Sequence, residues 1–180
     1  NSGTQNIKSG GKADTTIISS GSRQVVEKDG TAIGSNISAG GSLIVYTGGI
    51  AHGVNQETGS ALVANTGAGT DIEGYNKLSH FTITGGEANY VVLENTGELT
   101  VVAKTSAKNT TIDTGGKLIV QKEAKTDSTR LNNGGVLEVQ DGGEAKHVEQ
   151  QSGGALIAST TSGTLIEGTN SYGDAFYIRN

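Results

Sequence analysis

The sequence predicts an all-β fold: a right-handed parallel β-helix of about nine to ten rungs, each about 19 residues long. Three observations carry this. Short strand-like groups recur at a constant step, glycines punctuate them at the same step, and charges one step apart are opposite in sign.

The first strand series runs Gln24-Val25-Val26, Leu43-Ile44-Val45, Leu62-Val63-Ala64, Phe81-Thr82-Ile83 and Leu99-Thr100-Val101. It continues through Leu118-Ile119-Val120, Leu137-Glu138-Val139, Leu156-Ile157-Ala158 and Phe176-Tyr177-Ile178. The steps between first members are 19, 19, 19, 18, 19, 19, 19 and 20. Apolar residues two apart, as in Leu43/Val45 and Leu118/Val120, fit a strand with one buried face. A second series places Ile18, Ile37, Gln56, Tyr75, Leu93, Ile112, Leu131 and Gln150 in the other half of each unit. Glycines such as Gly21, Gly40 and Gly115 stand between the halves, where tight corners need positive φ. A unit this short is too small for a propeller blade and lacks the helical half of a leucine-rich repeat. A coil of stacked parallel strands remains. Ten rungs at about 4.8 Å would give a rod roughly 45 Å long.

Charge tests the register independently. Lys8–Glu27, Glu98–Lys117, Lys104–Glu123, Lys108–Asp127, Lys122–Asp141, Lys125–Glu144, Asp127–Lys146 and Arg130–Glu149 are opposite-charge pairs 19 residues apart. Glu94–Asp113 is the like-charge pair at that spacing. Stacked neighbours should show this bias, because like charges directly opposite destabilise a sheet. Lys108, Asp127 and Lys146 are therefore expected in one vertical column.

The whole of 1–180 reads as a single β-helix, with irregular rungs and corner loops near 65–80 and 159–174. Residues 61–74 resemble 155–168 at an offset of 94, or five rungs. A loop and an aromatic strand follow in both copies, with Tyr75 to His80 and Thr169 to Asp174 expected to project from a corner. Asn1 and Asn180 both fall inside the repeating pattern, so the sequence reads as a piece of a longer protein.

Composition narrows the function. Among 180 residues there are 29 glycines, no proline and no cysteine. High glycine without proline excludes collagen. Absent cysteine excludes disulfides, thiolate nucleophiles and cysteine metal sites. The net charge of −5, with both signs interspersed, is no nucleic-acid footprint.

The unit (S/T/N)-G-(G/x)-x-L-x-V-x-x-G-G-x-A-x-x-T-x-(I/L) resembles the passenger repeats of self-associating autotransporter adhesins, the AIDA, TibA and antigen-43 group. Residues 107–118, Ala13 to Gly21, and Gly86 to Asn95 carry the resemblance most closely. It implies a passenger domain on the Gram-negative cell surface, attached to the outer membrane. It also implies autoaggregation, biofilm formation and adhesion to host cells. In some members a heptosyltransferase O-glycosylates serines.

Candidate sites follow. His52, His80 and His147 are too dispersed to converge, and Asp71/Glu73, the best carboxylate pair for acid–base work, fits corner salt bridging better. No catalytic residue, metal site or cofactor is expected. Gly67 to Asp71 lacks the repeated nonapeptide of a calcium β-roll. Outward polar columns hold Asn36, Asn55 and Thr111, flanked by Ser38 and Asn109. Such rows stabilise their own stack or bond to a second rod, and with the resemblance these five residues become the expected self-association face. Ser9, Ser20, Ser38 and Ser152, at corners or facing outward, are the expected O-glycosylation candidates. A glycan-binding or polysaccharide-processing β-helix is the alternative, against which stand the missing acid–base cluster and the scattered tyrosines.

Overall fold

The computed structural model describes residues 2–180. They form a parallel β-solenoid of about 9 turns at the 19-residue spacing, without a helix among the described residues. The expected fold class and period are therefore those observed.

One face is an eight-stranded parallel sheet. Its strands are β1 (Thr4–Ile7), β4 (Arg23–Val26), β7 (Ser42–Val45), β9 (Ala61–Asn65), β14 (Glu98–Val101), β17 (Lys117–Val120), β20 (Val136–Val139) and β22 (Ala155–Ala158). Register follows the sequence step: Gln24 lies beside Leu43, and Val120 lies between Val101 and Val139. Alternate residues point inward, so Leu43 and Leu62 stack on the early rungs and Leu99, Leu118 and Leu137 on the later ones, each at most 1% exposed. The other faces are supplied by strands of two or three residues and by two of seven. They include β2 (Lys12–Asp14), β3 (Ile17–Ile18), β5 (Thr31–Ile33), β6 (Asn36–Ile37), β8 (Ile50–Gln56), β12 (Glu87–Asn89), β13 (Val92–Leu93), β15 (Ser106–Lys108), β16 (Thr111–Ile112), β18 (Lys125–Asp127), β19 (Arg130–Leu131) and β21 (Glu144–Gln150).

Each regular rung turns three corners, and at each the backbone passes through positive φ. Two corner columns are mostly glycine, such as Gly21, Gly40, Gly115 and Gly134. The third holds Thr15, Gly34, Gly53, Tyr90, Asn109, Ser128 and His147, with φ between 52° and 68°. Its member Asn109 was expected in an outward polar column beside Thr111. It sits instead at a corner, because a left-handed residue turns the chain. The non-glycine members carry no glycine signature to mark the turn.

The second correction concerns the irregular middle. Phe81-Thr82-Ile83 is not a rung of the first sheet. It belongs to β11 (His80–Thr84), which runs antiparallel to β10 (Asp71–Tyr75) and to β12. Phe176 likewise lies on β24 (Ala175–Arg179), antiparallel to β23 (Leu165–Thr169). Two β-hairpins thus replace two rung segments. The first sheet closes over the gap by pairing β9 with β14 directly, Leu99 beside Ala64. That offset is 35 residues rather than the 37 separating Leu62 from Leu99, a slip of two. A slip of one would turn the core residues outward; a slip of two preserves the buried face. Tyr75 pairs with Asn55, not Gln56, so it faces outward and is 62% exposed.

Glycine is required where each hairpin leaves the rod. A Cβ on Gly74 would lie 2.1 Å from the Val54 carbonyl oxygen, and one on Gly168 would lie 2.2 Å from that of Val148. These positions are 94 residues apart, the offset of the internal similarity.

Candidate functional site

The charged columns are the most regular surface feature. Lys108 pairs in register with Asp127, and Asp127 with Lys146. Glu98–Lys117, Lys125–Glu144 and Arg130–Glu149 are likewise register partners. The shortest ion pairs often cross to other neighbours. Lys117 meets Glu138 at 3.0 Å and Lys146 meets Glu144 at 3.0 Å, whereas Arg130–Glu149 stands at 3.7 Å. The columns are therefore mixed-charge networks rather than isolated pairs. Exposed contacts of this kind add little stability one by one.

The like-charge pair Glu94–Asp113 has a built solution. Lys77, in the turn of the first hairpin, reaches back with its Nζ 2.7 Å from Glu94 and 2.6 Å from Asp113. The three side chains are 26%, 9% and 22% exposed in the order Lys77, Glu94, Asp113. Burial alone would pull the Lys77 ammonium down, but its hydrogen bonds to Asp113 and Glu94 outweigh this and hold it above its ordinary value. Burial likewise pushes Asp113 up, and hydrogen bonds from Lys77 and Asn132 more than offset it, leaving the carboxyl below its ordinary range. Asn76 Nδ2 donates to the Tyr90 carbonyl at 2.8 Å, so this turn is pinned to the rod at two points.

The gap left by the first hairpin is closed by side chains. Gln56 Nε2 donates to the Val92 carbonyl at 3.1 Å, and Asn95 Nδ2 to the Gly59 carbonyl at 2.6 Å. Gln56 stands in a core column otherwise filled by Ile37 and Leu93, as Gln150 does before the second hairpin. In this column a glutamine stands on the last rung before each hairpin. It serves there because a backbone acceptor loses its strand partner.

The histidines each face a carboxylate. His52 Nε2 lies 2.9 Å from Asp71, His80 Nε2 lies 2.9 Å from Glu73, and His147 Nδ1 lies 2.8 Å from Asp127. Asp71 and Glu73 thus hold separate partners at the base of the hairpin. His80 and the Gly53 N–H both donate to Glu73 and hold its carboxyl below the ordinary range. No group of three or more His, Asp or Glu side chains capable of holding a metal occurs among the described residues.

The expected self-association residues do not form one row. Asn36 and Asn55 are register neighbours on the early rungs, where the Asn55 amide donates to the Asn36 carbonyl oxygen and Asn36 Nδ2 donates to Glu57 at 2.9 Å. Ser38 follows, half-buried. Their column then meets Tyr75 of the first hairpin. Thr111 lies beyond that hairpin between Val92 and Arg130, and Asn109 occupies the exposed corner beside it. The hairpin therefore divides the set into two patches. Ser9, Ser20 and Ser152 are exposed. Ser20 faces the next corner, where a Cβ on Gly40 would lie 2.5 Å from its Oγ.

Beyond the first hairpin lies a trough of about 420 Å³ with Leu78 and Tyr90 at one end and Arg130, His147 and Glu149 along it. A second hollow of about 420 Å³ begins at His147 and Glu149 and ends on Phe176 and Tyr177 of the second hairpin. Sequence reasoning missed both, because they exist only once the two hairpins stand on the same face.

Residues 73–135 match the family described as "Adhesin of bacterial autotransporter system, probable stalk". Among solved structures, the chain is similar to that described as the crystal structure of a TibC-catalyzed hyper-glycosylated TibA fragment. Identity is 26% over 89% of this chain and 73% of that one, with a TM-score of 0.41. Residues 73–135 are thus similar to an autotransporter adhesin stalk, and the same rung period continues on either side of them.

Proposed function

We propose that this chain is an AIDA-type autotransporter adhesin passenger, a non-enzymatic adhesive rod that acts through rod-to-rod self-association between cells and through attachment to host-cell surfaces. In this reading the described residues form one structural unit, exposed at the cell surface and attached to the outer membrane. The observation that carries the reading is the adhesin-stalk match over residues 73–135, combined with polar side chains repeated at one-rung spacing on an ordered surface. Such rows offer a second rod many equivalent contacts. Each net hydrogen bond contributes about 0.5–1.5 kcal/mol, so two single rods bind weakly while many copies on facing cells adhere through multivalency. O-heptosylation by a heptosyltransferase at Ser9, Ser20, Ser38 or Ser152 belongs to the same proposal, supported by the exposure of three of these hydroxyls.

The test displays the full-length protein on cells and replaces Asn36, Asn55, Asn109 and Thr111 together by lysine. These side chains are exposed or half-buried, so the rod should fold. Sedimentation of cells should slow markedly at equal surface expression and unchanged circular dichroism. Normal aggregation would clear these residues and turn attention to the charged columns. Intact mass of protein from the native host reads the glycosylation directly, and an unmodified mass would remove that part of the proposal.

A further inference from the structure

Four of the five tyrosines, scattered in the sequence, gather at the two hairpins or beside them. Tyr75 and Tyr90 stand by the first, and Tyr172 and Tyr177 on the second, each at least 51% exposed. Between Tyr90 and Tyr177 runs the trough, its two hollows joined at His147 and Glu149. Its floor is a stack of polar and charged residues one rung apart. Asn109 and Ser128 occupy the corner column, and Thr111, Arg130, Glu149 and Thr169 the strand column. Three such intervals at about 4.8 Å span on the order of 14 Å, a length suited to a short linear oligosaccharide.

The chemistry narrows the ligand. Every charged side chain the trough presents already has a partner: Arg130 with Glu149 at 3.7 Å, Arg179 with Glu167 at 3.4 Å, and His147 with Asp127 at 2.8 Å. No net charge is left over to select a polyanion or a cation. The floor backbone is also spent, since the amides of Thr111, Arg130 and Glu149 donate to Val91, Thr110 and Thr129. An extended peptide, which docks by adding main-chain hydrogen bonds at a sheet edge, finds none on this floor. What remains is a line of hydroxyl, amide, carboxylate and guanidinium groups between two exposed rings, one of them held under Arg179 at 5.5 Å. Rings that stack on the C–H face of a sugar, with polar groups that bond its hydroxyls, recognise a neutral carbohydrate.

We propose that the trough between the two hairpins binds a neutral linear oligosaccharide lying along the rod axis, with a ring stacked on Tyr90. Binding is non-catalytic, since the carboxylates that line the trough are each tied to a cation. The trough shares Asn109 and Thr111 with the proposed self-association residues, but sugar binding needs only one rod.

The test titrates soluble protein with neutral linear hexasaccharides of glucose, mannose, galactose and N-acetylglucosamine in both anomeric linkages. Amide shifts are followed by NMR. At least one sugar should shift Asn109, Ser128 and Arg130 together. Tyr90→Ala should weaken that sugar about fivefold, the value of one aromatic contact, while Tyr90→Phe keeps it. Arg130→Ala should weaken it comparably with an unchanged melting temperature. Lys12→Ala, exposed and outside the trough, should leave it alone. Absence of shifts with the entire set overturns the proposal. So do shifts elsewhere on the rod, indifference to Tyr90→Ala, or binding of heparin alone. Because the protein is dilute and soluble, such a failure leaves the aggregation experiment standing.

Discussion

Replacing Lys77 by methionine isolates the contact that ties the first hairpin to the rod. Methionine keeps the length and apolar stem of the lysine and removes only the charge. Glu94 and Asp113 occupy adjacent rungs, one register step apart, and would then face each other without a counter-ion. At a separation of about 5 Å and an effective dielectric near 20, two like charges repel by about 3 kcal/mol. Breaking a fully buried pair costs about 3–5 kcal/mol. Here Lys77 and Asp113 are 26% and 22% exposed, so water recovers part of this. We expect a loss of about 2 kcal/mol near pH 7, or roughly 4–8 °C in melting temperature for a chain of this size. The pH dependence gives a second readout. In the parent, Asp113 lies below its ordinary range. Its contribution is present above the unfolded value near 3.8 and is lost as pH falls through the folded one. In the variant, protonating Asp113 relieves the repulsion, so the deficit should shrink as pH approaches 4. Thermal melts of both proteins at pH 7.5 and 4.5 supply the comparison. A deficit below about 0.5 kcal/mol that is the same at both pH values would show that Lys77 is not the counter-ion of this pair.

Val120→Asp places an unpaired charge between Val101 and Val139, and should cost at least about 3 kcal/mol, with amide protection lost first on β14, β17 and β20. Melting identical to the parent would mean that Val120 does not face the core. Gly74→Ala forces a Cβ to within 2.1 Å of the Val54 carbonyl and should destabilise the hairpin by about 2–3 kcal/mol. Gly3→Ala, with nothing within 4 Å, should be neutral; equal effects would remove the steric argument. The hydrogen bonds of His80 and Gly53 to Glu73 depress its carboxyl, so their contribution is present above the ordinary value of 4.5 and lost as pH falls through the folded one. Glu73→Gln should therefore flatten the fall of melting temperature between about pH 5 and 3, and an unchanged slope would exclude this carboxylate as its source.

Stacking was legible in the sequence because it repeats. A column such as Lys108–Asp127–Lys146 is specified by spacing alone, since register in a parallel coil converts a constant step into a contact. The hairpins were not legible for a related reason. Phe81/Ile83 alternate as a parallel strand would, and their position keeps the step within one residue. Direction along the rod leaves no trace in a period-2 pattern. The signals that marked the hairpins lay elsewhere. Gln56 and Gln150 break two aliphatic columns, and Glu94–Asp113 breaks the rule of opposite charges, which implied a third group between them. Lys77 is that group. The trough needed both hairpins in place, so four exposed tyrosines that look dispersed along the chain become neighbours only in the fold.

The hairpins also change how far the chain reaches. Eight strands of the first sheet make seven intervals, on the order of 34 Å at about 4.8 Å each, against the roughly 45 Å that ten rungs would give. Residues spent on a hairpin broaden the rod without lengthening it, and the slip of two residues lets the coil resume above as though little had been removed. Extension and protrusion can therefore be set separately: adding a plain rung moves the tip outward, and adding a hairpin unit changes what the side displays at nearly constant height. Two solenoids with equal residue counts can hold their ends at different distances, and chain length is a poor measure of the gap such a rod can bridge.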